Sequence, residues 1–368
     1  MVWKGSTRAP GLDLLPPVID SPALLSAFLP RLQQSAWLAL DTEADSLHAY
    51  PEKLCLLQVG LPEGPELVDP LADLDLSQVW PEFRRREIIM HGADYDLRLL
   101  KAGPGFVPET IFDTMLAARI LGHERFGLAD LVQHFMGVTL EKGSQKANWA
   151  QRPLTEKMSQ YACNDVLYLK PIADALRALM IAKGRLGWHA QQCAQLIVDN
   201  SQFAAPDADR IWRIKGSNHL PPPVLAVLRE LWHWREGEAR RRSRPPFFVI
   251  PHDTLLQIAC VAGQGGNFHD LLPRRISDQR RQGIIDAIHR GGQQPPASHP
   301  RPIPPAPRLR LTGPQAQRLA QLQRHRDARA ADLAIDPTLI ASRAMMLEMV
   351  TENHLAHLLP WQQDLMAM

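Results

Sequence analysis

WLALDTE, residues 37–43, is an apolar run that ends abruptly in two acids separated by one threonine. Short, bounded by charge and followed by polar residues, it reads as a strand whose end meets solvent or a cavity. Side chains two apart on an extended chain project to the same side, so Asp41 and Glu43 can face one cavity. Two carboxylates packed at the end of a buried strand repel one another and hold a proton more tightly unless a cation neutralises them. Hard divalent cations with oxygen ligands are the natural remedy. The plainer reading of the same pair is two surface acids just past a strand.

Working outward, KLCLLQVG (53–60) and ELVD (66–69) continue the short apolar rhythm with Pro, Gly or charge between them, which predicts a meander of strands. REIIMHG (86–92) adds another strand ending at Gly92, and ADYDLRLLKAG (93–103) is compatible with a helix. From Thr110 to about Gly184 the periodicity is mostly helical with glycine punctuation. Strands first and helices afterwards predict a sheet with helices packed on it. On the first helix, Asp94 and Asp96 compete. Asp94 falls where a carboxylate caps free N–H groups, and Asp96 falls inward beside Leu97 and Leu100. In MSQYACNDVLYLKPI (158–172), Tyr161 and Asp165 stand at i and i+4 and share a helix face. A phenol there can orient a water for in-line attack on phosphorus beside a metal-binding Asp165; a buried Tyr beside a surface Asp is the alternative. Asp113 reads as a helix cap, and His91 as a strand-end histidine satisfied by backbone groups.

Composition restricts the classes available. The chain has 368 residues, more than one core usually holds, with 45% hydrophobic and 22% charged residues, so two or three globular domains are expected. The net charge is +2, divided as −5 before the cut after Ala205 and +7 beyond it. A polyanion is therefore drawn to the second part, and to the first only if that part holds cations. Cys55, Cys163, Cys193 and Cys260 lie too far apart for a zinc motif or a disulfide framework, which fits a reducing compartment. The start, MVWKGSTRAP, lacks the pattern of a secretion signal, and no run of apolar residues is long enough to span a membrane. No membrane partner is expected, and there is no GxxxxGK[ST] phosphate loop.

Beyond Ala204 the text turns polar and proline-rich before VLAVLRELWHWREGEARRR (224–242) opens an amphipathic helix. GGQQPPASHPRPIPPAPR (291–308) is read as an extended tether. Sliding the chain by 91 positions superposes Leu228, Leu231, Arg235 and Ala239 on Leu319, Leu322, Arg326 and Ala330. Each helix is followed by a turn with proline, Ile250-Pro251-His252-Asp253 in one and Ile335-Asp336-Pro337 in the other, which points to two related helical modules. Boundaries follow: 1–205, 206–292, a linker at 293–308, and 309–368.

WLALDTEADS, MHGADYDLRLL and YACNDVLYL, in this order and with FDTMLAARILG and GLADLVQHFMGVTLEKGSQKANWAQRPLTEKMSQYA between them, resemble the Tyr-containing branch of the DEDD exonucleases, and ribonuclease D in particular. The resemblance spans about Trp37 to Leu179. It implies an α/β RNase H-like exonuclease domain, a mixed sheet flanked by helices, acting 3′→5′ on RNA and releasing 5′-mononucleotides. Two divalent ions, Mg2+ or Mn2+, are implied: Asp41, Glu43 and Asp165 on one, Asp41 bridging to a second that Asp96 helps hold, with Tyr161 positioning the nucleophile. In GSQKANWAQRPL, Asn148 replaces the Asp usual before the Trp; Lys146 is a candidate phosphate contact, and Trp149 either stacks on a base or packs. The later segments VLRELWHWREGEARRRSRPPFFVIPHDTLLQIA and LQRHRDARAADLAIDPTLIASRAMM resemble the all-α HRDC domain in two tandem copies. Arg240, Arg241, Arg242 and Arg244, with Arg274, Arg275, Arg280 and Arg281 later, are candidate non-specific phosphate contacts, and arginines on a solvated helix face are the alternative. The implied partners are tRNA precursors and other structured RNAs with 3′ tails, met in the cytoplasm by a monomer. The rivals are a DNA exonuclease of the Werner type and a catalytically silent RNA-binding adaptor.

Overall fold

The computed structural model describes residues 15–141, 143–202, 207–272, 276–304, 310–352 and 358–367. Six strands form one mixed sheet: β1 (Val18–Ile19), β2 (Leu38–Ala44), β3 (Leu54–Leu61), β4 (Gly64–Val68), β5 (Glu87–Met90) and β6 (Thr110–Asp113). Their order across the sheet is β1-β4-β3-β2-β5-β6. The meander expected from the sequence is β2-β3-β4, antiparallel throughout; β5 runs parallel to β2, β6 to β5, and β1 to β4. The strands β1 and β6 are additions to the expectation. With two residues β1 carries no usable periodicity, and β6 runs without a break into the helix Thr114–Leu121, so it falls within the stretch read as helical.

Alternation along the two central strands divides the core. Leu38, Leu40, Leu57, Val59 and Leu61 face one layer with Phe28, Leu32, Leu97 and Leu100 from its helices. Ala39 faces the other with Val166, Leu169 and Ile172, and Leu56 packs there against Ala162 and Cys163. Both faces are covered, which is why β3 is buried along its whole length. Among the described residues no helix is long and apolar enough to cross a membrane.

The chain divides into two compact units: Met1–Asp45 with Leu54–Phe203 and Leu311–Met368, and Ser46–Lys53 with Ala204–Arg310. Within the first, Arg185 donates to the Ile120 and Leu333 carbonyls at 2.8 and 2.7 Å, and Trp188 stacks on Trp361 with centroids 4.8 Å apart. The helices that carry Leu333 and Trp361 thus pack on the helix that follows Arg185. Within the second, the Tyr50 hydroxyl donates to Glu236, and the Arg240 guanidinium lies 5.5 Å from the Tyr50 ring centre.

The repeat holds at a constant offset of 91. Helices Pro222–Arg241, Pro246–Val249 and His252–Gly263 correspond to Gly313–Leu333, Pro337–Ile340 and Arg343–Thr351. Ser243 and Ala334, the only non-glycine residues at positive φ among those described, occupy equivalent positions at the ends of the long helices. The next N–H closes each end in the same way, Arg244 to the Ala239 carbonyl and Ile335 to that of Ala330, both at 3.0 Å. This corrects the pairing of the turns: Pro337 matches Pro246, and Ile335 matches Arg244, because the proline that starts the short helix sets the register. The tether is not uniformly extended, since Pro296–Ser298 form a 3-10 turn; residues 305–308 of it lie outside those described.

Candidate active site

The end of β2 supplies the first two acids. Asp41 pairs across the sheet with Gln58 and Glu43 with Leu56, and a bulge follows between Glu43 and Ala44. Both carboxylates project to the face that the Glu156–Leu167 helix covers, where they meet Asp165. One oxygen from each of Asp41, Glu43 and Asp165 lies within 4.8 Å of the others. Asp96, 6% exposed in the Asp94–Ala102 helix, enters from the side and accepts a hydrogen bond from the Thr42 hydroxyl. Asp94 does not cap that helix. It is an exposed acid 3.3 Å from Arg98, while the N–H groups of Gly92 and Ala93 are held instead by Asp113. Asp113 also accepts from Met115 and Leu116, so its reading as a cap agrees with the structure and extends to a second helix start.

Crowding and burial act on these acids in the same direction. Burial, then the charges of Asp96, Asp165 and Glu43, holds the Asp41 proton well above the usual carboxylate range. Burial followed by Asp165 and Asp96 pushes Glu43 up to about 9. Burial raises Asp165 to about 7, with a hydrogen bond from Tyr161 opposing it, and Asp96 to about 6, with the Thr42 hydroxyl opposing it. Carboxylates this close cannot all ionise in a dry site without a countercharge. All-oxygen donors at this spacing fit a hard divalent cation.

A cleft of about 640 Å³ opens over the cluster, lined by Asp41, His91, Leu128, Leu140, Gln145, Tyr161 and Asp165. Tyr161 lies one helical turn before Asp165 and donates to it, while the Gln145 amide hydrogen-bonds the phenol. The strap carrying Gln145 passes directly over the ring: a Cβ on Gly143 would stand 1.9 Å from the Tyr161 Cδ2. The strap's far end is fixed by Arg152, which grips Asp69 with two nitrogens and donates to the carbonyls of Trp149 and Cys55 at 2.7 Å.

Other candidates divide. Trp149 is 1% exposed and packs against Leu56, Met158 and Ala162, so no base can reach its faces and the stacking role is withdrawn. Lys146 is exposed on the strap beside Gln145. His91 is held at Nδ1 by the Thr114 hydroxyl at 2.9 Å rather than by backbone, and it lines the cleft. Sequence reasoning singles out Gln145 only as a member of the GSQKANWAQRPL segment, without a role, and passes over Gly143 and Thr42; all three are uncharged and gain their significance only from what lies next to them. In the second unit, Arg241 and Arg242 have side chains 57% and 45% exposed around Glu238, with Arg280 3.3 Å from the same carboxylate. Arg274 and Arg275 lie outside the described residues.

Residues 16–181 match the family model described as 3′-5′ exonuclease, and residues 224–263 match that of the HRDC domain. Ribonuclease D of Pseudomonas paraeruginosa is 32% identical over 286 residues, which cover 73% of this chain and 74% of that one. Ribonuclease D of Jannaschia sp. is 29% identical over 342 residues, 89% of this chain and 87% of that one. Among solved structures, RNase D of Escherichia coli, an exoribonuclease involved in structured RNA processing, has a similar fold, with a TM-score of 0.72 at 24% identity over 96% of each chain.

Proposed function

This chain belongs to the ribonuclease D family of 3′–5′ exonucleases, and from that premise we propose that it shortens RNA from the 3′ end by hydrolysis at two divalent cations held by Asp41, Glu43, Asp96 and Asp165. The observation that carries the reading is the convergence of Asp41, Glu43 and Asp165, from a strand and a helix more than a hundred residues apart, beneath one cleft. When bound, the cations withdraw charge from the scissile phosphate and stabilise the attacking and leaving oxygens.

The chain's own groups do the rest. With cations present, Asp41, Glu43 and Asp165 would offer ionised oxygens from two elements, and Asp96, fixed by Thr42, would add a fourth carboxylate from the side. Burial and the neighbouring acids hold the Tyr161 proton tightly, so its hydroxyl acts as a hydrogen-bonding group that orients the attacking water. Gln145 and Asp165 fix that hydroxyl from two sides. Water adds across the bond between phosphorus and the 3′ oxygen, so each turn releases a 5′-mononucleotide and leaves a 3′-hydroxyl for the next.

Structured RNAs with short single-stranded 3′ tails, tRNA precursors among them, are the proposed substrates, met in the cytoplasm by a monomer. We read 206–292 and 309–368 as HRDC modules following the exonuclease domain. Three guanidiniums around the single Glu238 carboxylate leave that face of the first module positive, which suits contact with RNA phosphates by Arg241 and Arg242 without sequence preference. Lys146, beside the cleft, is suited to the same role near the reacting end.

The test is a time course on a tRNA precursor with a 3′ tail and on DNA of the same sequence, with manganese, with magnesium and with a chelator. Mononucleotide release from RNA that stops with the chelator is expected. Faster release from the DNA would transfer the reading to a DNA exonuclease, and binding without release in either metal would leave an RNA-binding adaptor.

A further inference from the structure

Gln58 lies in the middle of β3 with no exposed surface, and neither its Nε2 nor its Oε1 has a hydrogen-bond partner among the described residues. A primary amide offers two donors and an acceptor, and native cores seldom leave such a group orphaned. An apolar side chain of similar size would fill the same space without that cost.

The position of the orphan is informative. Gln58 stands directly opposite Asp41 in the antiparallel β2–β3 pair, and residues so paired share a sheet face with Cβ atoms about 4.5–5.5 Å apart. On that face its neighbours are Leu56 and Gly60 along its own strand and Leu67 across on β4. The Glu156–Leu167 helix closes the face from above, since a Cβ on Gly60 would stand 3.3 Å from the Val166 Cβ. Of Leu56, Gly60, Leu67, Val166 and Asp41, Asp41 alone carries a polar side chain.

We infer that Gln58 is a positioning residue for the cation site: its amide, unpartnered as it stands opposite Asp41, is placed to turn and donate to the Asp41 carboxylate once a cation has ionised it, fixing the orientation in which that carboxylate meets the metal. Carboxylates that ligate metals are themselves held by outer hydrogen bonds, and losing one such partner weakens metal binding by roughly ten- to a hundred-fold. The inference rests on the two-cation reading above.

The test uses the full chain as wild type, Gln58→Leu and Gln58→Met. It measures manganese affinity by calorimetry, melting temperature with and without manganese, and kcat on a 3′-tailed RNA. In the variants the metal-free melting temperature is expected to hold or rise, since an orphaned amide has been replaced by hydrocarbon. Manganese affinity is expected to fall by roughly ten- to a hundred-fold, with kcat partly restored by excess manganese. A purely structural amide, satisfied by a buried water, gives the reverse: a lower metal-free melting temperature or loss of folding, with metal affinity within about twofold of wild type in whichever variant folds. That reverse result overturns the inference while leaving the two-cation reading intact. Absence of manganese binding by wild type overturns both.

Discussion

Asp41 is where the site's electrostatics and its chemistry meet, because the three other acids all press on the same carboxyl. Replacing it by Asn removes a charge and keeps the shape. Asp41→Asn or Asp165→Asn is therefore expected to abolish nucleotide release while RNA binding, measured by filter retention in the same buffer, stays near wild type; retained release in either variant would contradict the assignment. Tyr161→Phe deletes only the oxygen that Gln145 and Asp165 hold. It should lower kcat on the order of a hundred-fold with little change in KM, read from steady-state kinetics. At this scale the sequence was informative wherever a residue's spacing fixed its direction. Two acids alternating on a strand and a Tyr–Asp pair one helical turn apart had to face common points. Trp149 was not legible in that way, because whether an indole in a loop faces solvent or the core depends on Met158 and Ala162, which arrive from the following helix.

Elements add constraints that single residues do not reveal. The strap from Gly143 to Trp149 lies on the Tyr161 ring so closely that a methyl group at 143 has no room. Gly143→Ala is expected to displace the phenol or the strap and lower kcat by at least tenfold, with the melting temperature little changed because Gly143 is exposed. A kcat equal to wild type would show that the strap yields freely. Asp113 works beneath the site, gathering the N–H groups that start two helices. Asp113→Ala should cost about 3 kcal/mol in urea unfolding, because several buried donors lose one charged acceptor together. The β2-β3-β4 meander could be read because each strand is long enough to show a pattern. By contrast, β6 runs straight into the helix Thr114–Leu121, and its pairing to β5 is what defines it. The helical repeat was visible in its leucines, but its turn register became clear only from Ser243 and Ala334, whose shared backbone conformation leaves no trace in residue type.

For the whole molecule, the acid cluster ties stability to pH and to metal. Glu43, Asp165 and Asp96 hold protons in the folded chain up to about 9, 7 and 6, whereas the unfolded chain releases them near the ordinary carboxylate range. Between those limits the folded state binds more protons than the unfolded one, so metal-free stability should fall as pH rises from about 5 to about 9. A divalent cation replaces the protons, and the manganese-induced gain in melting temperature should grow over the same range. Calorimetric scans at about pH 5.5 and about pH 8.5, with chelator and with manganese, check both signs. A gain that shrinks with pH would count against the cluster as the binding place. Charge also divides along the chain, −5 before the cut after Ala205 and +7 after it, so a polyanion is attracted to the second part more than to the first. The most direct measurement of the central claim is anomalous diffraction from a crystal soaked in manganese. Peaks within about 2.0–2.6 Å of oxygens from Asp41, Glu43 and Asp165 are expected; those side chains turned to separate places, or no peak among them, would contradict it.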